Sequence, residues 1–331
     1  MKRILSGIQP SGEVHLGNYI GAVQHWVAEQ DEKDCFYCIV DLHAITVPQD
    51  PKVLRAATLD LAATLIAAGI DPDRSTLFVQ SQVHEHTQLG WVLGSIATFG
   101  ELGRMTQFKA KLAKQKEGSV SVGYFTYPVL QAADILIYQA DEVPVGEDQR
   151  QHLELTRDIA ERFNSRYGDT FVVPKASIPK VGAKILDLQT LAKMSKSADS
   201  PQGTVKVADP PDVVRKKIKV AVTDSGREIV ASPDKPAVTN LLTIYSVATG
   251  KPVKELEAEL AGKGYADLKS GLADALIAFL EPIQKRYADL MADTAELARL
   301  LQKGAEKAQT VAAQTIATVY DRVGFMPRSG G

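Results

Sequence analysis

Short apolar runs alternate with segments of helical spacing over roughly the first eighty residues, and this order constrains the fold more than any other feature of the chain. Residues 2–8 read as a strand and lead into the turn-rich Gln9-Pro10-Ser11-Gly12. A helix is expected from near Gly17 to about Gln30, and Cys35 to Val40 reads as the second strand. After Asp50-Pro51, apolar residues recur at helical spacing (Val53, Leu54, Ala57, Leu61, Leu65) and predict a helix ending at Gly69. Ser75 to Gln80 is the third strand. Strands joined through single helices return parallel to one another, so the pattern predicts a parallel sheet with helices on its faces.

Beyond this point the alternation loosens. From about Glu85 to Tyr138 the chain turns mainly helical and carries a basic stretch with Arg104, Lys109, Lys111, Lys114 and Lys116. Asp141 to Val145 returns as a short strand, Gly146 to Gln149 forms a loop, and Arg150 to Arg166 reads as a helix. Phe171–Val173 and Lys184–Leu188 are expected as further short strands. After Ser197 a loop rich in Asp, Pro and Gly leads into helices near 211–221, 237–249, 251–261, 266–292 and 305–323. The expectation is an α/β domain with a helical insertion, followed by a helical domain.

The chain has 331 residues, 45% of them hydrophobic, which suffices for the core of one large or two ordinary domains. Its formal charge of −2 excludes a uniformly basic coat for nucleic acid, so such a partner has to be met by local patches. No run of about 20 apolar residues occurs, and the apolar stretch after Met1-Lys2-Arg3 is too short for a signal peptide. No membrane association and a cytoplasmic location are expected. The two cysteines stand in Cys35-Phe-Tyr-Cys38. A zinc site would need a second ligand pair, and a redox pair normally opens a helix, whereas this run reads as a buried strand. Residues three apart on a strand face opposite sides, so both thiols are expected to be buried, reduced and structural, with no protein-bound structural metal.

Two constellations carry candidate chemistry. In the first, a strand ends at Gly7, Gln9-Pro10-Ser11-Gly12 turns, and His15-Leu16-Gly17-Asn18 enters a helix. Unpaired N–H groups at such a junction point outward, the helix dipole favours an anion, and a glycine lets a polyphosphate approach. His15 and Asn18 could both donate there; on its own the motif is equally a glycine-rich turn. The second is Lys193-Met194-Ser195-Lys196-Ser197, whose lysines and serines can follow charge onto a departing pyrophosphate or simply form an exposed polar loop. Asp134 is a lone acid in the largely apolar run Val129–Ile137 and demands a partner, because an unpaired carboxylate there is costly. His84 and His86 have metal spacing but read as surface residues, and Trp26 and Trp91 read as core or interface packing.

Lys193 to Ser197 is, letter for letter, the KMSKS signature of class I aminoacyl-tRNA synthetases, and His15 to Asn18 is similar to their HIGH motif. The chain further resembles the bacterial-type tryptophanyl-tRNA synthetases at Ser6–Gly12, Asp41–Val47, Arg104–Lys109, Ala132–Leu136, Val143–Gln149, Gln151–Asp158, Ala221–Ser225 and Asn240–Leu242. The resemblance implies a Rossmann-like parallel-sheet catalytic domain over residues 1–197, with a helical insertion at about 85–138. Residues 198–331 would be an all-helical domain that binds the tRNA anticodon, its last helix able to pack back on the first domain. It implies an enzyme that joins L-tryptophan to tRNA(Trp) with ATP as its Mg²⁺ complex, acting as a homodimer through the insertion.

Residue roles follow from the same resemblance. Gln9, Pro10, Ser11, Gly17 and Asn18 look like one wall of the ATP site, with His15 among the catalytic groups. Gly146, Glu147 and Asp148 look like the adenosine side, and Ile185 is similar to a backbone contact to adenine. Lys193, Met194, Ser195, Lys196 and Ser197 resemble the catalytic loop, and Lys111 a further lysine for the triphosphate. Asp134 resembles the acceptor of the indole N–H. Tyr127 and Gln149 resemble groups near the α-amino end, Gln107 a group for the ammonium and His43 one for the carboxylate. Gln131 departs from the pattern, which has methionine there; it shares a helix face with Asp134 and is expected to bond it or reach the substrate. Three rival readings remain: a tyrosyl-tRNA synthetase, a nucleotidyltransferase with the same type of ATP site, and a non-catalytic RNA-binding paralogue. Arg104–Asp148 argues against the first, the long helical tail against the second, and the retained His15, Gly17, Lys193 and Lys196 against the third.

Overall fold

A computed structural model describes residues 1–109, 120–146, 149–177, 185–194 and 201–327. Five strands, β1 (Arg3–Ile8), β2 (Asp34–Ile39), β3 (Thr76–Val79), β4 (Glu142–Pro144) and β5 (Lys175–Ser177), form one parallel sheet in the order β3-β2-β1-β4-β5. The chain winds outward from β1 to β3 and then comes back to the other side of β1. Between β1 and β4 the winding direction reverses, and a crevice opens there outside the carboxyl ends of the strands, where open α/β sheets bind ligands.

The helices follow from local chemistry. The helix after β1 runs as α1 (Leu16–Asn18), a π turn over Tyr19–Val23 and α2 (Gln24–Glu29). After α3 (Asp41–Ala44), the Asp50 side chain accepts from the N–H groups of Lys52 and Val53 and starts α4 (Pro51–Ala67), with proline in the first turn where no N–H is needed. The insertion holds α5 (Glu85–Gly94), α6 (Phe99–Gly103) and α7 (Val122–Leu136), and α8 (Arg150–Tyr167) follows β4. Past residue 210 come α9 (Pro211–Lys219), α10 (Pro236–Thr249), α11 (Val253–Glu259), α12 (Tyr265–Ala292) and α13 (Thr294–Val323).

Strand alternation divides the core between the two sheet faces. Cys35, Tyr37 and Ile39 join the cluster with α4 and the C-terminal helices, while Phe36 and Cys38 join the one with α5, α7 and α8. The two thiols are therefore buried on opposite faces, and both are free. The helix α13 lies across β3, where a Cβ on Gly304 would overlap the Leu77 carbonyl oxygen. Lys303 pairs with Asp73 at 2.8 Å alongside. Among the described residues no helix is long and apolar enough to cross a membrane.

Three expectations are corrected. Phe171–Val173 is not a strand. Its backbone bonds to side chains: Asn164 accepts from Phe171 N–H and donates to Phe171 O, and Gln139 accepts from Val172 N–H. The edge strand starts instead at Lys175. The Lys184–Leu188 segment, described from Ile185, makes only an isolated antiparallel bridge between Leu186 and Lys193. The last helix starts at Thr294, where Asp293 accepts from the Glu296 N–H, and it runs straight through Gly304.

Candidate active site

At the reversal between β1 and β4 lies a cavity of about 340 Å³. Ser6, Gly7 and Gln9 come from the end of β1, Val143 to Val145 from the end of β4, His43 from α3, and Tyr127, Gln131 and Asp134 from one face of α7; Gln107 and Gln149 complete the wall. Tyr127, Gln131 and Asp134 line the cavity together because residues three or four apart share a helix face. Every residue named above for the amino acid thus lines one cavity, joined by Gln9 from the nucleotide set.

Asp134 is buried and accepts three short hydrogen bonds. Its Oδ1 takes Gln80 Nε2 and His86 Nδ1, and its Oδ2 takes His43 Nε2, all at 2.7 Å. Burial pushes the carboxyl pKa up, but attraction to His43 and the hydrogen bonds from His43 and His86 outweigh it, and Asp134 is held below the usual carboxylate range. It is a buried charge with its donors in place. The Tyr127 hydroxyl donates to Gln107 Oε1 at 2.7 Å and accepts from His152 Nε2 at 2.7 Å. Burial raises the Tyr127 phenol, so it stays protonated and can donate. Gln131 turns its amide to Gln149 at 3.4 Å, whereas Asp134 draws its donors from Gln80, His43 and His86.

Two members of this arrangement escaped the sequence reading. His86, expected at the surface, has no exposure at all; its second nitrogen lies 2.7 Å from the Tyr138 hydroxyl. His84 is the exposed one of the pair. Histidines two apart on a helix point to different sides, and the inward one tolerates burial because both ring nitrogens find partners. Gln80 directly follows β3 at the carboxyl edge of the sheet, a position that could have marked it. Trp26 is core, while Trp91 stands 78% exposed on α5.

The nucleotide candidates form a second group held by main chain. His15 Nδ1 accepts from the Asn18 N–H at 3.1 Å and Asn18 Oδ1 accepts from the His15 N–H at 3.4 Å, so the pair caps the helix reciprocally and leaves the ring hydrogen on Nε2. A Cβ on Gly17 would stand 3.2 Å from that of Met194, which is how closely the two motifs meet. Met194 donates its N–H to Ile185 O at 3.0 Å, and Lys193 is exposed. The chain after residue 203 then pairs with the first motif: Leu16 N–H to Val205 O at 2.8 Å, and Val207 N–H to Val14 O at 2.9 Å. Gln9 and Ser11 are exposed, Pro10 is buried and Gly146 is exposed at the mouth of the β4–α8 loop. Lys111, Glu147, Asp148, Ser195, Lys196 and Ser197 lie outside the described residues.

The family described as class I tRNA synthetases (W and Y) matches residues 1–281. The chain belongs to it. A relative from Streptomyces avermitilis named tryptophan–tRNA ligase 2 is 58% identical, over 98% of this chain and 97% of its own. The structure of tryptophanyl-tRNA synthetase from Mycoplasma pneumoniae superposes with a TM-score of 0.89 at 41% identity, covering 98% of both chains. That of Campylobacter jejuni, solved with ADP and tryptophan, gives 0.85 at 34% identity, covering 98% of this chain and 100% of that one. Among the described residues of this synthetase, no group of three or more His, Cys, Asp or Glu is placed to hold a metal ion.

Proposed function

We propose that this chain is a tryptophan–tRNA ligase, which converts L-tryptophan and Mg²⁺-ATP to tryptophanyl-AMP and pyrophosphate and then charges tRNA(Trp). The observation that carries the reading is an ionised, donor-held carboxylate in the wall of the cavity at the sheet's reversal, in a synthetase whose relatives are tryptophan–tRNA ligases. Tryptophan is the aromatic amino acid with an N–H that can donate but not accept. Both acceptor positions of Asp134 Oδ1 are filled, and Oδ2, with one donor from His43, keeps an acceptor position for the indole.

The α-amino end then lies toward Tyr127 and Gln149. Because Gln107 Oε1 is engaged by Tyr127, the Gln107 NH₂ is its free edge; an NH₂ donates, so it suits the substrate carboxylate better than the ammonium. His43 serves the aspartate end. In the first step that carboxylate attacks the α-phosphate and pyrophosphate leaves; in the second a ribose hydroxyl of the tRNA end attacks the adenylate carbonyl and AMP leaves. Neither needs a covalent enzyme intermediate, only placement and charge stabilisation. We assign the ATP wall to Gln9, Pro10, Ser11, His15, Gly17 and Asn18, and adenosine to Gly146, Glu147, Asp148 and Ile185. Lys193 to Ser197 and Lys111 serve the phosphates. Residues 1–197 would be the catalytic domain and 198–331 the helical tRNA-binding part, in a cytoplasmic enzyme.

Tryptophan-dependent pyrophosphate exchange into ATP tests the whole reading: exchange driven by tyrosine, or by no amino acid, would overturn it. Dimerisation through the insertion is supported by the exposed Trp91, Phe99 and Val122, all on that segment. Light scattering at micromolar protein should give twice 35.8 kDa; a 35.8 kDa species alone would refute the dimer.

A further inference from the structure

We propose that His86 is a positioning residue for amino-acid selection, held in a single tautomer by Tyr138 so that it fixes the Asp134 carboxylate with Oδ2 toward the cavity. The inference rests on the reading of Asp134 as the indole acceptor. His86 lies between two partners, with Nδ1 2.7 Å from Asp134 Oδ1 and Nε2 2.7 Å from the Tyr138 hydroxyl. Tyr138 is itself wholly buried, stacked on Phe36 at 4.7 Å and edge-on to Phe78 at 5.6 Å. A buried phenol donates its hydrogen, and burial raises this one so that it keeps it. Its donation to Nε2 requires that nitrogen to be bare, which puts the ring hydrogen on Nδ1, facing the carboxylate. The other tautomer would set a lone pair against Oδ1.

The terminal torsion of an aspartate is broad, so the carboxylate direction has to be imposed from outside. Gln80 and His86 together saturate Oδ1, and His43 takes one position on Oδ2. What remains is a single acceptor position at a set angle. Tryptophan fills it, and phenylalanine leaves it empty. Without His86 the group can turn, and the difference between those two ligands shrinks.

The test compares kcat/KM for tryptophan and for phenylalanine in pyrophosphate exchange, a ratio independent of the folded fraction, in wild type, His86→Leu, His86→Asn and Asp134→Ala. Asn can place an amide N–H where Nδ1 stood. We expect His86→Leu to narrow the ratio roughly tenfold or more, chiefly through KM for tryptophan, and His86→Asn to restore most of it. A wild-type ratio in His86→Leu, or equal loss in both variants, overturns the positioning role. If Asp134→Ala keeps the wild-type ratio, the reading of Asp134 fails first and takes this one with it. If His86→Leu does not fold, Tyr138→Phe decides: a several-fold narrower ratio supports the tautomer lock, and an unchanged ratio overturns it.

Discussion

Around Asp134 side chains hold side chains: Gln80, His43 and His86 converge on one carboxylate, and Tyr138 holds His86 from behind. Around Gly17 and Met194 the ties run through the main chain, from Leu16 to Val205, Val207 to Val14 and Met194 to Ile185. The two ends of the crevice face different tasks. Choosing one amino acid depends on the direction of a single acceptor, and that requires a shell of packed partners. A triphosphate is met by N–H groups and cationic side chains, for which a fixed backbone frame suffices. Substitutions at the first end should therefore change which amino acid is used, and substitutions at the second how fast any is used.

The largest effect that would sharpen this contrast is at the second end. Lys196→Ala should lower the activation rate by about 2.7–4 kcal/mol, a hundredfold to a thousandfold, with the tryptophan Kd and the tryptophan-to-phenylalanine ratio unchanged. Single-turnover adenylate formation and equilibrium dialysis read the two separately. A shift in the ratio would break the division of labour.

Next in size is Asp134→Ala. Losing a hydrogen bond to a charged group removes about 1.5–3 kcal/mol, so the ratio should narrow by one to two orders of magnitude while ATP binding stays near normal. The same change strands three buried donors, and the melting temperature should fall with it. Acid should act more gently. The Asp134 pKa is depressed in the fold, so its contribution is complete above the unfolded value of about 3.9 and is lost only as pH falls from there through the folded value. Melting temperatures that show the Asp134→Ala deficit vanishing between pH 8 and pH 5 would contradict that sign.

The sheet and the positions of both motifs were legible because strand–helix alternation and the Lys193–Ser197 run are local patterns. The strand order followed only from three-dimensional pairing, and with it the reason the cavity stands where it does. Gly304 reads locally as a helix breaker, and only its contact with Leu77 explains why glycine stands mid-helix. Gly203 is similar: a Cβ there would overlap the Asp187 carboxylate, which accepts from Gln189, Thr190 and Thr204 at the base of the lysine loop. His86 was misread because spacing carries no information on burial; its partners Asp134 and Tyr138 are about fifty residues away in the chain.

The smallest effect tests where the first region ends. Gln131 stands where the family pattern has methionine, one helical turn before Asp134, and a contact between them would make it part of the selecting shell. The structure gives it a different partner, Gln149 Oε1 at 3.4 Å, near the long limit for a hydrogen bond. Asp134 meanwhile has both Oδ1 positions and one Oδ2 position filled by other residues. Gln131→Met therefore exchanges a weak amide contact for a flexible apolar chain of similar volume, and the change should cost below about 1 kcal/mol. KM for tryptophan should move by a few-fold at most, through the lost contact to Gln149 at the α-amino end, and the tryptophan-to-phenylalanine ratio should stay within about threefold of wild type. A loss of ratio approaching that of Asp134→Ala would place Gln131 inside the shell and move the boundary between the two regions outward, past the helix face that Asp134 shares with it.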